Sequence, residues 1–103
     1  MSSLAYLSAG ELAALIRSRK ISSLELTQLY IDRIEKYDRD VNAVIVRTFE
    51  HALEAAERAD RATAEGRDLG PLHGVPMTIK ESYVMADTPS TWGIEDFRDN
   101  MSD

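Results

Sequence analysis

The chain has 103 residues, a formal net charge of −6, and 44% hydrophobic and 29% charged residues. That is enough for one small soluble unit, and it lacks the clustered Lys and Arg that a nucleic-acid or anionic-membrane surface needs. Cysteine is absent, which excludes disulfides, thiolate nucleophiles and thiolate metal sites and fits a reducing compartment.

The first residues, Met1 to Leu7, carry no basic stretch followed by a long apolar one, so they do not read as a signal peptide. No apolar run approaches the ~20 residues of a membrane span. The expected location is cytoplasmic, without a membrane partner.

Three helices are predicted, over about 8–19, 22–37 and 49–65. Ser8 with Glu11, and Ser22 with Glu25, have the spacing of capping boxes, in which each side chain satisfies a free N–H at the helix start. Leu12, Leu15 and Ile16 mark one buried stripe on the first helix. Arg17, Arg19 and Lys20 follow where its dipole favours cations. On the second helix Leu26, Leu29, Tyr30, Ile34 and Tyr37 share a face, while Asp32, Arg33, Glu35 and Lys36 face water. Residues 38–40 read as a polar turn. In the third helix Thr48 is placed as the cap and Gly66 as the left-handed stop. Its face of Ala52, Ala55, Ala56, Ala59 and Ala62 allows close approach, and Glu54–Arg58 and Glu57–Arg61 are spaced as surface ion pairs.

Two short runs read as strands. Ala43 to Val46 is apolar without alternation, which suggests a strand over about 43–47 covered on both faces. Val75 to Ile79 follows the Gly/Pro-rich turn at 70–74 and predicts a strand over 75–79, with Pro76 at its beginning. Beyond Lys80 no clean period is visible, and residues 94–103 read as an acidic, frayed tail. The order helix, helix, strand, helix, strand defines an α/β fold, with residues 1–103 as a single segment. Two strands make no stable sheet in water, so the segment reads as the first piece of a larger one. Its open edges invite self-association.

The candidate for chemistry is Lys80, delivered at a strand end after Gly70-Pro71-Leu72-His73-Gly74-Val75-Pro76-Met77-Thr78-Ile79. It is either a solvated strand-end lysine or, if partly buried, a base whose pKa is lowered by desolvation. His51 reads as exposed, and His73 as support for its turn. These two histidines and scattered carboxylates form no metal site. No phosphate-binding loop surrounds Lys80, and no cofactor is implied. Tyr83, Trp92 and Phe97 read as packing residues or as the lining of a pocket.

The run from Gly70 to Ser82, continued by Thr88-Pro89-Ser90-Thr91-Trp92-Gly93, resembles the lysine-bearing segment of the amidase signature family. Ile21-Ser22-Ser23-Leu24-Glu25-Leu26 and Val41-Asn42-Ala43-Val44 also match the way such enzymes begin. The resemblance spans nearly all of the chain and only the front of a family member. It implies a mixed α/β sheet and hydrolysis of a small-molecule carboxamide through a Ser–cisSer–Lys triad. Lys80 would take a proton from the bridging serine, which activates a nucleophilic serine.

In the family both serines lie downstream, in a Gly/Ser-rich segment not found here, so the isolated chain is expected to be inactive. Ser2-Ser3 and Ser22-Ser23 lack the flanking glycines. Asp87 stands where the family has glycine, which matters if that position requires a positive φ. Within the family, Lys80-Glu81-Ser82 and Thr91-Trp92-Gly93 look more like stand-alone amidases than like the A subunit of a tRNA-dependent amidotransferase. A non-catalytic, oligomerising module is the alternative outside enzymology.

Overall fold

Both Ser/Glu spacings close as capping boxes. Ser8 Oγ accepts from Glu11 N–H at 3.1 Å, and the Glu11 carboxylate accepts from Ser8 N–H at 3.0 Å. Ser22 Oγ accepts from Glu25 N–H at 2.9 Å, with the reciprocal bond at 3.2 Å. The computed structural model describes residues 2–67, 69–83 and 85–102. In it these caps open α1 (Ala9–Arg17) and α2 (Ser23–Val41), and α3 spans Phe49–Ala64. A 3₁₀ turn, Ser2–Tyr6, precedes α1, and another spans Glu95–Phe97.

The helix ends show where local signals compete. α1 stops with Arg19 in the left-handed region (φ 62°), and Lys20 N–H bonds back to Leu15 O at 2.9 Å. The Arg19 guanidinium does not serve its own helix. It donates to Thr63 O at 2.8 Å and so caps the last turn of α3. α2 runs through the expected turn at 38–40 to Val41 and ends on left-handed Asn42. Thr48 sits at the start of α3, but its hydroxyl makes no capping bond. Gly66 (φ 74°) closes α3 as anticipated, with Arg67 N–H bonded to Ala62 O at 3.0 Å.

The core joins Leu4, Leu12, Ile16 and Leu26, with Leu15, Ile21, Leu29, Tyr30 and Val75 packed against it. Leu4 comes from the N-terminal 3₁₀ turn, which the periodicity of the sequence does not reveal. α2 packs along α3, where Ala56 and Ala62 are buried. Tyr37, expected on the buried face of α2, is exposed, whereas Ser23, Thr27, Ile31 and Asp38 are buried.

The expected strands do not form. Among the described residues the only β pairing is an isolated antiparallel bridge between Pro89 and Met101. Residues 43–47 and 75–79 belong to no ladder, and Ile45, Met77 and Ile79 are exposed. A strand exists through its partner's hydrogen bonds, and neither run lies beside another extended segment. At 43–44 the backbone finds a different acceptor. The buried Asp38 carboxylate takes Ala43 N–H at 2.8 Å, Val44 N–H at 3.0 Å and the Arg47 guanidinium at 3.4 Å. Chiefly through the two backbone N–H groups, these bonds hold its pKa below the ordinary carboxylate value.

The tail is tied back rather than frayed. Asp87 N–H donates to Ser102 O, Ser102 N–H to Thr88 O and Ser90 N–H to Asn100 O, each at 2.8 Å. The pairs Glu54–Arg58 and Glu57–Arg61 do not close as ion pairs, and α3 shows those side chains to solvent. Among the described residues no helix is long and apolar enough to cross a membrane.

Candidate active-site segment

The segment ending on Lys80 begins with a double turn. His73 N–H bonds Gly70 O at 3.2 Å and Val75 N–H bonds Leu72 O at 3.1 Å. Gly74 adopts φ 82° with its α-carbon pressed against the core. A Cβ there would lie 3.1 Å from Ile16 Cγ2 and 3.4 Å from Ser23 Cβ. Only glycine meets both demands without strain.

Two side chains fasten this turn to the helices. The buried Ser23 hydroxyl donates to Gly74 O at 2.6 Å. His73 Nε2 lies 3.0 Å from Thr63 Oγ1 and 3.1 Å from Ala59 O. Thr63 Oγ1 itself donates to Ala59 O at 3.0 Å, so Nε2 is the donor toward Thr63. Ser23 is held in turn by Asp60 of α3. One carboxylate oxygen accepts Ser23 N–H at 2.7 Å and the other Leu24 N–H at 3.0 Å. With the capping box at Ser22 and Glu25, every otherwise free N–H of the first turn of α2 has an acceptor.

Val75 then joins the core, and the chain leaves the helices without ladder bonds. Lys80 lies at the end of this stretch. Its carbonyl accepts Tyr83 N–H at 2.9 Å, while its side chain is exposed and its ammonium has no partner among the described residues. The burial that would favour a base is not present in these residues. Glu81 turns the other way and accepts backbone N–H groups from Thr91 and, at 2.9 Å, from Trp92. Asp87 takes φ 62°, so the position does demand a positive φ, and aspartate is among the few side chains that tolerate it.

The remaining candidates separate cleanly. His51 is exposed on α3, and Tyr83, Trp92 and Phe97 are exposed rather than packed. Ser22 and Ser23 are committed to the cap and to Gly74, so neither hydroxyl is free to act as a nucleophile. Among the described residues no three His, Asp or Glu side chains are grouped to hold a metal. A surface hollow of about 400 Å³ between α3 and the turn is lined by Ala59, Ala62, Leu69 and His73 with arginines at its edge, and it does not include Lys80.

Sequence reasoning missed Asp60, Thr63 and the inward role of Ser23. A signal for Asp60 was available. It lies four residues after buried Ala56, so an acid occupies the alanine stripe where solvent-facing charge is out of place.

A three-helix frame that presents a lysine-tipped Gly/Pro segment defines the class to which comparison with known proteins then assigns this chain. The family model described as Amidase matches residues 25–103, and the chain belongs to that family. It is similar to the A subunit of glutamyl-tRNA(Gln) amidotransferase from Moorella thermoacetica, with 51% identity over 75% of the chain and 16% of the relative. It is 41% identical to the indoleacetamide hydrolase of Bradyrhizobium diazoefficiens over 92% of the chain and 18% of that protein. Among solved structures, a bacterial aryl acylamidase of the amidase signature family superposes with a TM-score of 0.87 at 33% identity, over 94% of the chain and 20% of the acylamidase. The chain thus spans about a fifth of the length of these relatives.

Proposed function

We propose that this segment supplies the lysine of a carboxamide hydrolase of the amidase signature type. The observation that carries the reading is Lys80 itself. It is an ammonium without a partner among the described residues, at the tip of a stretch seated on three helices, within residues that match the Amidase family. On this reading the bridging and nucleophilic serines come from sequence outside these 103 residues, which is supported by the lack of flanking glycines at Ser2-Ser3 and by the commitment of Ser22 and Ser23 elsewhere. When those serines approach, they cover the amine and exclude water around it. Lys80, in its neutral form, then takes the proton of the bridging hydroxyl, and the bridging oxygen takes the proton of the second serine as that serine attacks the amide carbonyl; the C–N bond breaks as the proton is passed back to the leaving nitrogen.

The test is ammonia release from a small carboxamide, by the chain alone and by the chain joined to the downstream part of an amidase signature enzyme. The chain alone should show no turnover. The joined protein should be active and lose roughly 10²–10⁴-fold in kcat on Lys80→Ala, the span of general base catalysis. Turnover by the isolated chain, or a joined enzyme indifferent to Lys80, overturns the reading.

The 51% identity to the A subunit of an amidotransferase favours a second reading, in which the same lysine serves ammonia release in a protein of that kind. Substrate preference separates the two. Glutamine as the preferred carboxamide favours the amidotransferase, and aryl or aliphatic amides favour the stand-alone hydrolase.

A further inference from the structure

We propose that Ser23 and His73 are positioning residues for Lys80, an inference that rests on the role assigned to that lysine above. The argument is one of leverage. Between Val75, which is packed in the core, and Lys80 no ladder bond guides the backbone. The direction of this stretch is therefore set at its base and at the Glu81 contact to residues 91–92.

Five residues span at most roughly 16 Å when fully extended, so a pivot of about 10° at the base moves the tip by up to about 3 Å. A proton-transfer partner must lie within about 2.6–3.2 Å. An error of that size removes the lysine from reach.

The base is built to resist such a pivot. Gly74 meets the wall formed by Ile16, its carbonyl accepts from buried Ser23, and His73 is hydrogen-bonded to α3 at Thr63 and Ala59. One contact comes from each helix. Asp60 extends the arrangement by tying the first turn of α2, and with it Ser23, to α3. The two bonds from Ser23 and His73 are not needed to fill the core, which is closed by Leu4, Leu12, Ile16 and Leu26.

The experiment uses the whole chain, which has no cysteine of its own. Spin labels at Glu57→Cys on α3 and Thr78→Cys on the stretch before Lys80, both exposed positions, report the direction of the stretch as a distance distribution. A second pair, Glu35→Cys on α2 and Glu57→Cys, reports the helical frame. Ser23→Ala and His73→Ala should each widen the first distribution about twofold or more and leave the second unchanged. His73→Gln, which keeps an N–H donor at the reach of Nε2, should restore the narrow distribution. A residue that only stabilises the fold would alter both pairs together.

An unchanged first distribution in either alanine variant, or a His73→Gln as wide as His73→Ala, overturns the proposal. So does loss of the frame in His73→Ala. If Ser23→Ala alone loses the frame, the His73 variants decide. No amide turnover enters the measurement, so its failure leaves the chemical role of Lys80 standing. Conversely, a joined enzyme indifferent to Lys80 would leave the clamp intact but without that purpose.

Discussion

Gly74→Ala should destabilise this protein by two separable effects. The backbone at that position has φ 82°, which costs an L side chain about 1–2 kcal/mol. The new methyl would also lie 3.1 Å from Ile16 Cγ2 and 3.3 Å from Ile16 Cδ1. Ile16 is 1% exposed and enclosed by the core, so it cannot swing aside. Overpacking of this kind adds about 1–3 kcal/mol, which brings the expected total to roughly 2–5 kcal/mol. Gly66→Ala isolates the first effect, because Gly66 has φ 74° and nothing within 4 Å of its built Cβ. Urea unfolding followed by far-ultraviolet circular dichroism gives both values, with equal slopes confirming the same denatured state. Gly74→Ala should exceed Gly66→Ala by about 1–3 kcal/mol. If the two variants agree within about 0.5 kcal/mol, the contact between the turn and α1 is not the constraint described above.

Two further outcomes follow from the packing and the electrostatics. Leu26 is fully buried where α2 meets the core, so Leu26→Ala should cost about 2–5 kcal/mol in the same unfolding assay. A loss below about 1 kcal/mol would mean that the core does not close around it. The folded-state pKa of Asp38 lies below its ordinary value of 3.8. Its ionised form therefore contributes stability above that value, and the contribution is lost as pH falls through the folded pKa. Acidification through that lowered folded-state pKa should release the Ala43 and Val44 amides, read as their chemical shifts and exchange rates. Asp38→Asn should flatten that dependence. Identical acid profiles for the two proteins would remove Asp38 from the account.

The parts of the fold visible in the sequence are those governed by neighbours a few residues apart. Ser8 with Glu11, Ser22 with Glu25, and Gly66 after the alanine-rich stretch act through bonds within one helical turn, so their residue types and spacing suffice. The end of α2 was misread because the acids at 38 and 40 look like a turn. In the structure Asp38 is buried and its carboxylate acts on the N–H groups beyond the helix, which no local pattern displays. The apolar runs at 43–47 and 75–79 have the composition of strands, but a strand is a relation between two segments, and these two never lie side by side.

The candidate site divides in the same way. Lys80 and its Gly/Pro-rich approach are legible as a motif, and so is the likeness to the Amidase family that the match over residues 25–103 establishes. What holds that motif is not legible, because it joins positions 16, 23, 59, 60, 63, 73 and 74 through contacts up to 58 residues apart, from Ile16 to Gly74. The physical reason is range. Capping and helix formation are decided by the chain's own next turn, and residue identity is enough to read them. Which hydroxyl, carboxylate or histidine meets the back of the Gly74 turn is decided by how three helices pack, and only the folded arrangement brings those groups within hydrogen-bond distance.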